Sequence, residues 1–148
     1  MPMMSRMRYL GLKWQAMAWL VFGGKVQASG IFDQMLAEFP GDAYALASKA
    51  TLLVQTGNRM AALPLFESLV ALHPGQAAHW FNLGFVLEEL ERYEQAEAAF
   101  RRATELDPQI DRAWYGLGLV LIRLRRHDEA VAALKQNTKL QPMSPYGW

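Results

Sequence analysis

Prolines stand at Pro40, Pro74, Pro108 and Pro142, 34 residues apart each time. Ala28, Ala62, Ala96 and Ala130 keep the same interval, as do Phe32, Phe66 and Phe100, with Leu134 in the fourth place. Trp80, Leu83 and Gly84 return as Trp114, Leu117 and Gly118. A fixed period of this length restricts the chain to stacked copies of one supersecondary unit. Inside a unit, Trp80, Leu83, Leu87 and Leu90 and then Ala96, Phe100 and Ala103 fall at helical spacing, which predicts two antiparallel helices. Gly84 and Ala96 fall where those helices cross and let the backbones approach, while Phe100 and Leu106 fill the space toward the next unit. Each X-Pro step disfavours helix at the residue before it and breaks the chain between units. Gly57-Asn58 reads as a left-handed helix end. Asp42 and Asp111 read as N-caps. One unit cannot bury its apolar face alone, so stability comes from stacking.

The repeat 77–110, with Trp80-x-x-Leu83-Gly84-x-x-Leu87, Ala96-x-x-x-Phe100, Ala103 and Pro108, resembles the tetratricopeptide repeat. Leu87 replaces the family's tyrosine. Repeat 111–144 matches through Trp114, Leu117, Gly118, Leu121, Ala130 and Pro142, but carries Asn137 in the second small column. Repeat 43–76 is weaker, with Leu46, Lys49 and Ala50 where Trp, Leu and Gly would stand. Segment 9–42 is degenerate and keeps Ala28, Phe32 and Pro40, with Trp19 in the tyrosine column. The resemblance implies an all-α fold, a right-handed α-solenoid of about four helix-turn-helix repeats over residues 9–144. Residues 1–8 are expected to be a flexible, basic, Met-rich lead, and 145–148 a short tail. Pro64 falls past the first turn of its helix and should kink it. Gly30, in the same column one repeat earlier, costs about 1 kcal/mol against alanine. Both weaken the N-terminal half or shape a bend that fits a partner.

Composition narrows the function. The 148 residues contain no cysteine, which removes a disulfide scaffold, a thiolate metal site and a thiol nucleophile together. Lys+Arg 15 against Asp+Glu 14 leaves a net charge of +1, with no reason to expect nucleic acid as a partner. Residues 1–76 hold only six basic and four acidic side chains, so that half is poorly equipped to face water alone. A basic start, the apolar run from Trp14 to Gly24 and Val26-Gln27-Ala28 together have the outline of a cleavable signal. Lys13 and Gln15 interrupt that run, Lys25 sits where a neutral residue is usual, and its dozen residues fall short of the roughly 20 needed to span a bilayer. The segment is therefore read as the first repeat's leading helix. The compartment expected is cytoplasmic, or periplasmic if the segment is removed.

In this family the first helices of successive repeats line a concave groove. The resemblance places Lys13, Trp14 and Met17 there, then Tyr44, Ser48 and Thr51, then Phe81, Asn82 and Phe85, then Arg112, Tyr115, Leu119 and Arg123. Aromatic and aliphatic groups with a few polar ones suit an amphipathic helix or an extended apolar peptide. Asn82 stands where members hold a ligand's peptide backbone, since an amide both donates and accepts. Chaperone-binding members clamp a terminal carboxylate with two Lys, two Asn and an Arg. Here only Asn82 and Arg112 correspond, and Ser48 and Gly116 fill columns the clamp would need, so that activity is not expected.

Glu89 shares a column with Arg123 and Glu91 with Arg125, so these pairs are expected to bridge repeats. Arg123, Arg125 and Arg126 also form a cluster that an acidic partner would suit. His73, His79 and His127 occupy different columns without ligand spacing, and Gly23-Gly24 lacks the Lys-Ser/Thr of a phosphate loop. No metal, cofactor or catalytic set is expected. If the fourth repeat ends the array, Val131, Leu134 and Leu140 stay partly bare and self-association through the ends follows. The function expected is a non-enzymatic adaptor binding a peptide or subunit. The alternatives are a chaperone for an apolar secretion or membrane-complex subunit, or a self-assembling subunit, with membranes reached only through a partner.

Overall fold

A computed structural model describes residues 2–141. It holds eight helices and, among the described residues, no strand. In chain order they are α1 Met3–Val21, α2 Lys25–Glu38, α3 Ala43–Gln55, α4 Arg59–Leu72, α5 Ala77–Glu89, α6 Tyr93–Leu106, α7 Asp111–Arg123 and α8 His127–Leu140. The second helices start at Lys25, Arg59, Tyr93 and His127 and end at Glu38, Leu72, Leu106 and Leu140, each 34 residues after the last. The first helices end at Val21, Gln55, Glu89 and Arg123 on the same period. The sequence repeat is thus a repeat of helical hairpins, and the fold is all-α of the tetratricopeptide type.

The chain forms two compact units, Met1–Leu72 and His73–Trp148. In the first, α1 pairs with α2, α2 with α3 and α3 with α4. Its core gathers Leu12, Ala16, Ala28, Ile31, Phe32, Met35, Ala45 and Leu52, with Tyr9, Leu36 and Tyr44 packed against it. The second repeats the arrangement with α5 through α8, around Leu83, Val86, Phe100, Leu117, Val120 and Leu121. The small column holds as expected: Ala28, Ala62 and Ala96 are fully buried and Ala130 nearly so. Trp80 and Trp114 do more than pack. Each donates its indole N–H to a proline carbonyl six residues earlier, Pro74 at 2.8 Å and Pro108 at 2.9 Å, tying the helix to the preceding turn.

Every hairpin turn is closed in the same way. Gly23, Gly57, Glu91 and Arg125, again 34 apart, have φ of 78°, 84°, 60° and 61°. The following N–H bonds a carbonyl five residues back in each case: Gly24 to Trp19, Asn58 to Leu53, Arg92 to Leu87 and Arg126 to Leu121. That is the left-handed C-terminal motif expected at Gly57. In the second unit it is made by a glutamate and an arginine, against their steric preference.

Three expectations need correction. Residues 3–8 are not a flexible lead but the first turns of α1, which has 19 residues against 13 in α3, α5 and α7. Asp42 does cap α3, its side chain accepting from the Ala45 N–H at 2.9 Å. Asp111 does not cap α7: it is the first helical residue, Ile110 precedes it at the cap, and the Asp111 carbonyl accepts from buried Asn137 at 2.9 Å. That bond accounts for an amide in a column of small residues. Glu91 does not pair with Arg125; ion pairs that do bridge repeats are Asp33 with Lys49, between α2 and α3, and Glu97 with Arg126 at 2.6 Å and Arg101 with Glu129 at 3.1 Å, between α6 and α8. Helix α4 runs through Pro64 to Leu72. Val131 is exposed and Leu134 and Leu140 half-buried. The 145–148 tail and Pro142 lie outside the described residues.

Candidate functional site

The expected groove residues fall in both units. In the first, Tyr44 is half-buried on the core, with Phe32 edge-on at 5.8 Å and the Lys13 ammonium 4.5 Å from its ring centre. Ser48 is half-buried. Thr51 is exposed, and its hydroxyl donates back to the Ala47 carbonyl at 2.8 Å. Trp14 and Met17 are exposed on α1. Tyr44 therefore serves the core at least as much as any ligand.

In the second unit the expected residues converge better. α5 and α7 touch. α5 contributes Phe81, Asn82 and Phe85, and α7 contributes Arg112, Tyr115, Leu119 and Arg123. The Arg112 guanidinium lies 5.1 Å from the centre of the Phe81 ring, a cation–π contact that joins the two helices. Phe81 leans in turn on Phe100, with ring centres 5.9 Å apart. Phe85 and Tyr115 are exposed, as is Ile122 nearby in sequence on α7. Leu119 is half-buried and Arg123 exposed. Asn82 is half-buried, and its side-chain amide makes no hydrogen bond among the described residues. An uncommitted amide can both donate and accept a hydrogen bond, and the exposed rings near it in sequence offer apolar surface.

Charge around this face is modest. Burial pushes the Glu88 carboxyl above its usual range, helped by Glu89 and opposed by Arg123. His73 and His79, assigned to separate columns, come together with ring centres 6.4 Å apart. His79 is held below the usual imidazole range by burial and then by His73, and its Nδ1 is buried without a hydrogen-bond partner. The pair was missed because the residues span a turn rather than a helical period. No group of three or more His, Asp or Glu among the described residues is placed to hold a metal. Gly116, read from sequence only as a missing clamp residue, packs under Phe100 instead.

Helical hairpins repeated on a 34-residue period, with first-helix side chains presented outward, define a helical-repeat protein of the interaction-scaffold class. The tetratricopeptide repeat profile matches residues 47–109 and 86–142, well over half of the chain, and the chain belongs to that family. Among solved structures it is similar to "MamA 41-end" from Desulfovibrio magneticus RS-1, with 26% identity over 89% of this chain and 75% of that one, and a TM-score of 0.80. A MamA RS-1 double mutant aligns with 26% identity, 89% and 74% coverage and a TM-score of 0.82. Another MamA crystal structure, 20% identical over 89% of this chain and 72% of its own, reaches 0.85 and speaks to the fold alone. No curated protein sequence matches the chain.

Proposed function

We propose that this protein is an adaptor that binds a peptide segment of another protein on the face formed by α5 and α7. The reading is carried by Asn82, a half-buried amide with no side-chain hydrogen bond among the described residues, set on the helix that also presents Phe81 and exposed Phe85. In this reading Asn82 donates to and accepts from the ligand backbone. Phe85, Tyr115 and Leu119 take apolar side chains, and Arg112, stacked on Phe81, is held ready for a carbonyl or carboxylate. Tyr44, Ser48, Thr51 and Arg123 contribute less, because Tyr44 packs on the core and the Thr51 hydroxyl is already bonded.

Exposed Phe85, Tyr115 and Ile122 on one unit favour, as a second reading, a chaperone that shields an apolar subunit. A peptide library panned on immobilised full-length protein separates these. The adaptor reading expects a defined consensus whose binding is lost in Phe85→Glu and weakened about tenfold in Asn82→Ala, the loss of a bond to a buried polar group. Enrichment of any apolar sequence, indifferent to Asn82→Ala, selects the chaperone. Binding that survives Phe85→Glu removes this face from consideration.

A further inference from the structure

Helix α1 has two apolar faces. Leu12, Ala16 and Tyr9 turn to the core. Met3, Met7, Leu10, Trp14, Met17 and Val21, at alternating intervals of four and three, are all exposed, Trp14 at 69% and Val21 at 80%. At 3.6 residues per turn these six span about 80°, and with Ala18, Gly11 and exposed Met4 beside them the arc widens to roughly 140° and contains no polar side chain. Cations border it on both sides, Arg6 and Lys13 along one edge and Arg8 along the other. Residues 1–32 contain four basic side chains, the fourth being Lys25, and no carboxylate. Arg8 also meets Glu38 at 2.6 Å and Lys13 lies over Tyr44, whereas Arg6 and Lys25 make no ion pair among the described residues.

Width and charge together select the occupant. A single partner helix covers a seam narrower than this arc. A second copy would set Arg6 and Lys13 against their own counterparts, with no acidic side chain on α1 to pair them. A flat surface bearing anionic headgroups satisfies both features: the apolar arc enters the headgroup–acyl boundary, tryptophan sits at that depth, and the bordering cations meet phosphate. Among the described residues no helix is long and apolar enough to cross a membrane, so α1 would lie in the interface plane. We propose that α1 is an interfacial helix that docks this protein on an anionic lipid bilayer.

Flotation of the full-length protein with vesicles tests this. The protein should float with phosphatidylcholine–phosphatidylglycerol vesicles, not with phosphatidylcholine alone, and less as salt is raised. Arg6→Gln should weaken binding about fivefold, as expected for one cation at an anionic surface. The double variant Met7→Gln/Trp14→Gln, altered only at exposed positions, should keep its circular dichroism and lose flotation. Phe85→Glu should float like wild type, which keeps this proposal separate from the peptide site. Three results would overturn it: no flotation, undiminished flotation of the double variant, or a lipid-free dimer that the double variant dissolves, which would give the stripe to a second copy.

Discussion

A β-carbon on Gly116 would stand 2.6 Å from Cζ of Phe100, so the phenyl ring of one repeat rests on the bare backbone of the next. The same ring lies 2.8 Å from where a β-carbon of Gly84 would be, within its own hairpin. Phe100 is 1% exposed and cannot swing away. Gly84→Ala and Gly116→Ala should therefore each overpack the core and cost about 1–3 kcal/mol in urea unfolding. Phe100→Leu should recover part of the loss in either background. Single variants with an unchanged midpoint would show that the ring is not confined as described.

The left-handed column makes a prediction of opposite sign. Glu91 and Arg125 hold φ near +60° where the first two hairpins use glycine. Glu91→Gly and Arg125→Gly should each stabilise the protein, by about 0.5–1 kcal/mol after the extra chain entropy of glycine is deducted. Gly57→Ala should destabilise it by a similar amount. Thermal melts of the three variants check both directions at once.

Asp42 serves two donors with one carboxylate oxygen, the Ala45 N–H at 2.9 Å and the Tyr9 hydroxyl at 3.2 Å. Asp42→Ala should cost about 1–2 kcal/mol, the loss of an N-cap combined with an orphaned hydroxyl. Tyr9→Phe should cost less, about 0.5–1.5 kcal/mol, because the cap survives. Burial and then the bond to Asp42 push the Tyr9 phenol up to about 12. A folded value above the unfolded one contributes stability below pH 10 that fades as pH rises from 10 toward 12. An ultraviolet phenolate titration of wild type and Tyr9→Phe should differ by one late-titrating tyrosine.

His79 governs the acid side. Burial and His73 hold its imidazole below the ordinary range, so the unfolded chain takes up a proton more readily than the folded one. Stability should fall as pH drops through the unfolded value near 6.5, the folded state resisting the charge. His79→Gln should flatten the melting-temperature profile between pH 7 and pH 5. An equally steep profile in that variant would assign the effect to other groups. Glu129, held below the usual carboxylate range by its hydrogen bond to Arg126, loses its stabilising effect only at lower pH and leaves this window clear.

The repeat frame was legible in the sequence because it depends on residue size and spacing, which are local. The alanine column, the aromatic column and the prolines define where helices cross, fill and stop, and the observed boundaries keep the same 34-residue interval. That Phe81, Asn82 and Phe85 share one first helix and Arg112, Tyr115 and Leu119 the next followed from that frame alone. Sequence could not decide which polar groups are already spent. The Trp80 and Trp114 indoles bonded to proline carbonyls, Asn137 on Asp111, and Glu97 rather than Glu91 as the bridging acid all depend on directions that period does not encode. Nor could it separate Tyr44, absorbed into a core, from Phe85, left in solvent, since both are aromatic residues in expected groove columns. Periodicity determines which face a residue is on. Whether that face is filled is decided by the neighbour's volume, and the neighbour arrives only in the folded chain.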